Sequence, residues 1–191
     1  SISKTYEFDS ASDMTESADY IISETYYNTR LGKGEEIADY SVNYEEVETG
    51  ANTYENTVVY WYDSGVSLSP VRAANGAVTT DTAMRRSQTY EVRMTADPAD
   101  FDPTVIAEGD TELKSDTWYD ITFGKGEEIA DYTINYTVDA DSSDYENTVF
   151  YYYGVTGSGS RAGSDGLTVD SAMSISKTYE FDSASDMTES A

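Results

Sequence analysis

Apolar and polar residues alternate with a period of two along several short stretches of this chain. In residues 54–62, YENTVVYWY, one face carries Asn56 and Val58 and the other carries Thr57 and Val59. Because these stretches are also rich in Tyr, Val, Ile and Thr, the pattern predicts β-strands rather than helices. The same alternation predicts further strands at residues 2–8, 19–27, 37–44, 117–123 and 166–173.

Clusters of Gly, Asp, Ser and Pro separate the predicted strands, as in ADPADFDP at 96–103 and GVTGSGSRAGSDG at 154–166. Such clusters are typical of turns and loops. No stretch shows the apolar spacing of a convincing amphipathic helix. Short strands that follow one another with turn residues between them predict an all-β protein built as an antiparallel β-sandwich.

An unchanged repeat links the two ends of the chain. Residues 1–18, SISKTYEFDSASDMTESA, return letter for letter as residues 174–191. Ser1 and Ser174 therefore begin the same unit, and the distance between them gives a period of 173 residues. We expect this chain to be one full period, followed by the opening of the next, of a longer tandem array.

A second, diverged repeat lies inside the period. GKGEEIADYSVNY at 32–44 matches GKGEEIADYTINY at 124–136, and YENTVVY at 54–60 matches YENTVFY at 145–151. This order predicts two tandem β-sandwich units per period, arranged as beads on a string. The predicted boundaries are 1–84 for the first unit, 85–173 for the second and 174–191 for the start of the next.

Charge and composition narrow the possible functions. The chain has 37 acidic residues against 11 Lys and Arg, no His and no Cys, and its formal charge is −26. This charge argues against nucleic acids and anionic membranes as partners. Without His or Cys there is no imidazole base and no thiol nucleophile, so only carboxylate pairs remain for catalysis and we expect no enzymatic activity. No apolar run long enough to cross a bilayer appears, so no membrane insertion is expected in this segment.

The order of these motifs carries a resemblance to a known class of proteins. The blocks GKGEE, DYSVNY, YENTV and TVDSAMSISK follow one another as in the immunoglobulin-like conserved-repeat modules of giant prokaryotic surface proteins. They also resemble the isopeptide-bonded domains of Gram-positive pilins and adhesins. The resemblance implies immunoglobulin-like β-sandwich domains in extracellular stalks or fibres at the cell surface, with neighbouring copies of the repeat joined head to tail.

The same resemblance implies a covalent crosslink. In the isopeptide-bonded proteins a Lys of the first strand condenses with an Asn of the last strand, helped by a buried carboxyl group. The corresponding residues here would be Lys4, Asn56 and Glu24. In the second unit Gln88 replaces the Lys, so either that unit lacks the bond or its Asn147 meets Lys177 of the following unit. In the alternative without a crosslink, Lys4 extends to the sheet edge and Asn56 bonds backbone.

Acidic clusters leave a second function open, a calcium-dependent adhesin repeat that binds a cell-surface or carbohydrate partner. Closely spaced oxygen ligands are what Ca²⁺ requires. They occur at Asp139, Asp141 and Asp144 and at Asp9, Asp13 and Glu16. The alternative is that these clusters are solvated loops and that the chain uses no cofactor, since neither cluster matches a complete calcium-loop motif.

The strand that opens the repeat also allows strand exchange. The SISKTYEF strand of one unit could complete the preceding domain and hide its exposed edge. Ordinary beads joined by short linkers are the alternative. In both cases the sequence predicts a structural component of an extracellular filament or stalk whose partners are neighbouring copies of the same repeat.

Overall fold

The computed structural model describes residues 1–6, 21–45, 53–66, 69–91, 113–138, 143–155 and 158–180. This part of the chain folds into ten β-strands and contains no helix, which confirms the all-β class. The strands are β1 (Ile2–Tyr6), β2 (Ile21–Asn28), β3 (Ile37–Glu45), β4 (Thr53–Tyr62), β5 (Met84–Glu91), β6 (Leu113–Asp120), β7 (Ile129–Val138), β8 (Ser143–Tyr153), β9 (Ser160–Arg161) and β10 (Met173–Tyr179). Within these ranges no helix is long and apolar enough to cross a membrane.

The described strands form one open antiparallel sheet. Their order is β1-β2-β3-β4-β5-β6-β7-β8-β10, with the short β9 paired to β8 beside this path. The predicted two-layer sandwich is therefore not confirmed. The units predicted at 1–84 and 85–173 are joined within the sheet, because β4 pairs with β5 from Asn56↔Glu91 to Tyr62↔Met84.

The two faces of the sheet differ in burial. On β5, the buried residues Arg86, Gln88 and Tyr90 alternate with the partly exposed residues Ser87 and Thr89. Cross-strand partners share a face, so the register extends each set across the sheet. We call one side the core face; it holds Val42, Thr57, Val59, Gln88, Tyr90, Asp116, Ile134, Thr148 and Phe150.

Hydroxyl and amide groups occupy the other side, which we call the hydroxyl face. It holds Ser3, Thr25, Ser41, Asn43, Asn56, Ser87, Thr89, Ser115, Thr117, Thr133, Asn135 and Asn147. Its side chains bond to one another across strands: the hydroxyl groups of Thr25 and Ser41 are 2.8 Å apart, and those of Thr117 and Thr133 are also 2.8 Å apart.

The repeated GKGEE segments form the turns before β3 and β7. Gly34 and Gly126 have φ angles of 86° and 81°, in the left-handed region that glycine adopts without strain. Each turn is closed by a carboxylate two residues later: Glu36 accepts the N–H of Gly34 at 2.8 Å, and Glu128 accepts that of Gly126 at 2.7 Å.

One predicted strand is wrong. Residues 166–172 form turns, with the N–H of Ser171 bonded to the carbonyl of Thr168 at 2.9 Å, and β10 begins only at Met173. In the corresponding loop of the first half, Val78 is fully buried in a cluster with Ile37, Tyr62 and Ala73. In the first half an apolar loop residue thus packs at the end of the sheet, whereas Val169 of the wrongly predicted strand is 44% exposed.

Candidate assembly interface

The joint between the two halves of the chain is made by β5, which lies between β4 and β6. Gln88 of β5 faces Val59 of β4 on one side and Asp116 of β6 on the other. The sheet therefore continues from the first half to the second through β5.

A buried ion pair crosses this joint. The Arg86 guanidinium donates to both carboxylate oxygens of Asp116, from Nε at 2.7 Å and from Nη2 at 2.6 Å. Only 10% and 4% of the two side chains are exposed. The guanidinium carbon also lies 6.0 Å from the ring centre of Trp61 on β4 and 5.0 Å from that of Trp118 on β6. Bidentate geometry and two aromatic rings together satisfy the buried cation.

Two contacts from the turn before β7 reinforce the joint. The carboxylate of Glu128 accepts the N–H of Met84, the first residue of β5, at 3.0 Å. The Lys125 ammonium donates to the carbonyl oxygen of Thr80, in the loop that leads to β5. The second half of the chain thus binds both the strand at the joint and the loop before it.

The first edge of the sheet repeats part of this joint with different residues. Lys4 of β1 faces Glu24 of β2, and their charged groups are 2.8 Å apart. Glu24 lies in SETYY at 23–27, and Asp116 lies at the same position of SDTWY at 115–119. Each half of the chain therefore places an acid at the same point of its second strand.

Hydrogen bonds hold the Glu24 carboxylate in its charged form. Burial alone would raise its pKa, but the hydrogen bonds from Lys4 and from the Tyr44 hydroxyl, at 2.8 Å, together with the Lys4 charge bring the pKa below the ordinary 4.5. The same hydrogen bond to Glu24 raises the pKa of Lys4 above 10.5. Burial, and then Glu24, raises the pKa of Tyr44. The Tyr26 hydroxyl donates a further bond to Glu24 at 3.3 Å.

The opposite edge carries the same lysine of the repeat in a second environment. Lys177 of β10 faces Phe150 of β8, and its ammonium lies 4.4 Å from the ring centre of Tyr152. Tyr152 in YENTVFYYY occupies the position of Trp61 in YENTVVYWY. The aromatic side of the internal joint is thus repeated at this edge.

A cleft lies at the start of β1. Ser1, Ile2, Ser3, Tyr27 and Glu36 line it, and its volume is about 240 Å³. Glu36 is the counterpart of Glu128, since both end a GKGEE turn. The carboxylate that accepts the N–H of Met84 at the internal joint therefore has its equivalent in this cleft.

The residues of the predicted crosslink are only partly brought together. Lys4 and Glu24 are in contact, but their row across the sheet continues through Val42 to Thr57. Asn56 therefore lies on the hydroxyl face, where its side-chain oxygen accepts a bond from Asn43 at 2.7 Å. β2 and β3 also separate it from β1.

The second predicted crosslink is divided in the same way. Asn147 lies on the hydroxyl face and accepts a bond from Asn135 at 2.8 Å. Lys177 faces Phe150, a residue of the core face. The two side chains required for an isopeptide bond thus lie on opposite faces of the sheet.

Five of the six predicted calcium ligands lie outside the described residues: Asp9, Asp13, Glu16, Asp139 and Asp141. The sixth, Asp144, is an exposed residue of β8 whose backbone carbonyl accepts a bond from the Thr137 hydroxyl at 3.3 Å. Within the described ranges, no three His, Cys, Asp or Glu residues are grouped so that they could hold a metal ion.

The ion pair at the internal joint was missed by sequence reasoning, although a signal for it exists. Gln88 occupies the position in the repeat that Lys4 occupies in the first half, which suggests that the second half has lost its cation. Arg86 lies two residues earlier on the same face of the strand and supplies that cation from a different position. A search for charge along the whole face would have found it.

Comparisons with protein-family models, with curated proteins and with solved structures find no match to this chain. Its function is therefore inferred from the repeat and from the contacts at the joint and the two edges.

Proposed function

We propose that this chain is a structural repeat of an extracellular surface filament or stalk, in which one β-sheet continues from each repeat into the next. The repeat has no catalytic role in this proposal. Its binding partners are the repeats before and after it, and its negative charge keeps the assembled surface soluble.

One observation carries the proposal: β10, which begins the next copy of the repeat, pairs with β8 as β5 pairs with β4. Lys177 faces Phe150 as Gln88 faces Val59. Met173 likewise faces Tyr153, as Met84 faces Tyr62. A third pair of strands, β1 and β2, supplies the next step with the same opening sequence. Repetition of these three steps extends the sheet without an edge at the repeat boundary.

Backbone direction makes the proposal testable at single amides. Ser1 and Tyr27 exchange backbone hydrogen bonds, so alternation along β1 turns the N–H of Ser3 toward β2. Ser176 is the same residue of the repeat. We therefore expect its N–H to point away from β8, whereas that of Lys177 points toward β8.

The experiment compares this chain with a protein in which residue 173 is followed by a complete second period. Continuation of the sheet should slow hydrogen exchange at the amides of Ser176 and Thr178 by roughly 100-fold, because a following β2 then bonds them. The amides of Lys177 and Tyr179 serve as the internal control and should be protected in both proteins. Unchanged exchange at Ser176 and Thr178 would favour separate beads.

Small-angle scattering of proteins with one, two and three periods distinguishes the sheet from the sandwich that the sequence resemblance predicts. A continuous sheet advances by about 4.8 Å per strand, so eight strands lengthen the particle by ~38 Å per period. Two separate sandwich domains per period, each with a radius of gyration of roughly 12 Å, would lengthen it by roughly 60 Å.

Antibody labelling of unpermeabilised cells tests the surface location.

A further inference from the structure

The internal joint shows what a complete junction contains. A cation of the middle strand, Arg86, is bonded to an acid of the following strand, Asp116, and lies beside an aromatic ring of the preceding strand, Trp61. All three belong to one chain and to three neighbouring strands, β4, β5 and β6.

Each edge of the sheet shows one of these two contacts, the cation with the acid or the cation with the aromatic ring. At the β1 edge, Lys4 is bonded to the acid of the following strand, Glu24. At the β10 edge, the ammonium of Lys177 lies over the aromatic ring of the preceding strand, Tyr152. Since Lys4 and Lys177 are the same residue of the repeat, the two contacts together describe a junction around one lysine.

We propose that the outer edge of β10 is a docking surface for β2 of a second copy of this chain, with Lys177 placed between Tyr152 of its own copy and Glu24 of the second. The inference rests on the proposed function, because it requires the sheet to continue beyond β10. The occupant is another copy because β2 already pairs with a strand of this sequence, its own β1.

Further contacts of the internal joint have counterparts at this docking surface. Glu36 of the second copy would accept the N–H of Met173, as Glu128 accepts that of Met84. The cleft beside Ser1 is where this contact forms, because Glu36 lines it and Met173 precedes the repeated strand. Docking therefore joins a loop and a turn as well as two strands.

Within a single copy, β1 competes with this docking. It has the sequence of β10 and forms the same contacts with β2, but it is tethered to β2 and so acts at an effective concentration in the millimolar range. Copies therefore remain closed in dilute solution. Weakening β1 alone opens the edge of β2 to β10 of another copy and starts a head-to-tail chain.

The repeat allows a test with matched variants of the full chain. Ser3→Pro removes the N–H that faces β2 and so weakens the β1–β2 ladder. This variant should form a concentration-dependent series of oligomers by sedimentation velocity, whereas the original chain stays monomeric. In the double variant Ser3→Pro, Ser176→Pro, β10 also lacks the required N–H, and we expect monomers.

A charge exchange tests the lysine itself. In the Ser3→Pro background, Lys177→Glu places a carboxylate beside Glu24 of the second copy and should weaken association between copies by roughly tenfold. Adding Glu24→Lys to the same chain restores a pair of opposite charges and should restore the association. Lys4→Glu offers a second way to release β1 if Ser3→Pro perturbs folding, and it should give the same oligomers.

Three results would overturn the docking surface. The first is a Ser3→Pro variant that keeps its β circular dichroism and yet remains monomeric at several hundred micromolar. The second is a double proline variant that forms the same oligomers as Ser3→Pro. The third is a loss of association in Lys177→Glu that Glu24→Lys does not restore. If these appear while Ser176 and Thr178 are protected in the two-period protein, docking between separate copies is wrong and the continuous sheet within one chain stands.

Discussion

Arg86 and Asp116 are nearly buried, and each requires the other in that position. Their mutual attraction offsets the loss of hydration only because the geometry is bidentate. The nearby Trp61 and Trp118 rings give the cation further favourable contacts. The pair therefore fixes the register at which the two halves of the chain meet.

Replacing one partner of this pair leaves a buried charge without compensation. In the Arg86→Ala variant, Asp116 stays buried without its cation. We therefore expect the free energy of unfolding, measured by urea denaturation, to fall by about 3–5 kcal/mol. Lys114→Ala is the control, because its pair with Glu91 spans 3.9 Å and both side chains are about half exposed. Its effect should stay below about 1 kcal/mol. Equal effects of the two changes would contradict a structural role for the buried pair.

Glu24 makes the attachment of β1 sensitive to acid. A carboxyl group whose pKa is lower in the folded than in the unfolded state stabilises the fold above its ordinary pKa of 4.5, and this contribution is lost as the pH falls through the folded value. The groups that face it are Lys4, Tyr26 and Tyr44. We expect the β1 amide signals in NMR spectra to lose their β-sheet shifts below pH 4.5 while those of β5 persist.

The Glu24→Gln variant separates this titration from general acid unfolding. Its β1 strand should be loosely attached at neutral pH. The β1 amide signals of this variant should show no further change as the pH falls from neutral to below 4.5. An unchanged acid transition in the variant would assign the sensitivity to another group.

At the scale of elements, the turns before β3 and β7 need glycine for their backbone. Gly34 has a φ of 86°, so Gly34→Ala should cost about 1–2 kcal/mol by thermal or urea unfolding even though nothing lies within 4 Å of the added methyl group. Gly76 is the matched control, with equal space and no positive φ. Gly76→Ala should be neutral or stabilising by up to ~1 kcal/mol. Similar losses in both variants would show that backbone conformation is not the cause.

The strands themselves could be predicted because alternation is a local property. The phase of β4 could not be predicted throughout, because a bulge at Glu55 interrupts it: Tyr54 and Asn56 pair with the consecutive residues Tyr44 and Asn43. Tyr54 and Tyr62 are buried, which suggests by simple alternation that Asn56 is buried with them. Instead the bulge at Glu55 places Tyr54 on the core face with the fully buried Thr57 and Val59, and Asn56 on the hydroxyl face. Tyr62 is buried because it packs against the loop residues Ala73 and Val78. The predicted crosslink depended on that phase.

The Lys4–Glu24 contact could be predicted in part, since a lysine on an apolar strand face needs a partner and Glu24 lies on the matching face of the next strand. Asp116 and Arg86 were harder to find because the cation changes position between the halves. Local pattern thus identifies an acid or a base that needs a partner, but the partner is determined by strand register.

At the scale of the whole molecule, alternation does not distinguish two stacked sheets from one long sheet. Both arrangements bury every second residue of each strand. The two arrangements differ in which strands pair where one half of the chain meets the next. Here β4 pairs with β5, and β8 pairs with β10. Only pairing between distant segments contains that information, and the repeat boundary gave the one sequence signal for it, the return of SISKTYE after the last strand of the period.

Because β1 and β10 are the two ends of the strand order, tension applied between them acts across the strands. Such a load is in the unzipping geometry: it breaks the backbone hydrogen bonds between two strands one at a time. It does not shear many of them at once. Each period would lengthen from ~38 Å when folded to roughly 600 Å when fully extended. In the proposed filament, a sheet of this design would yield at low force, absorb work strand by strand and shorten again when the load is released.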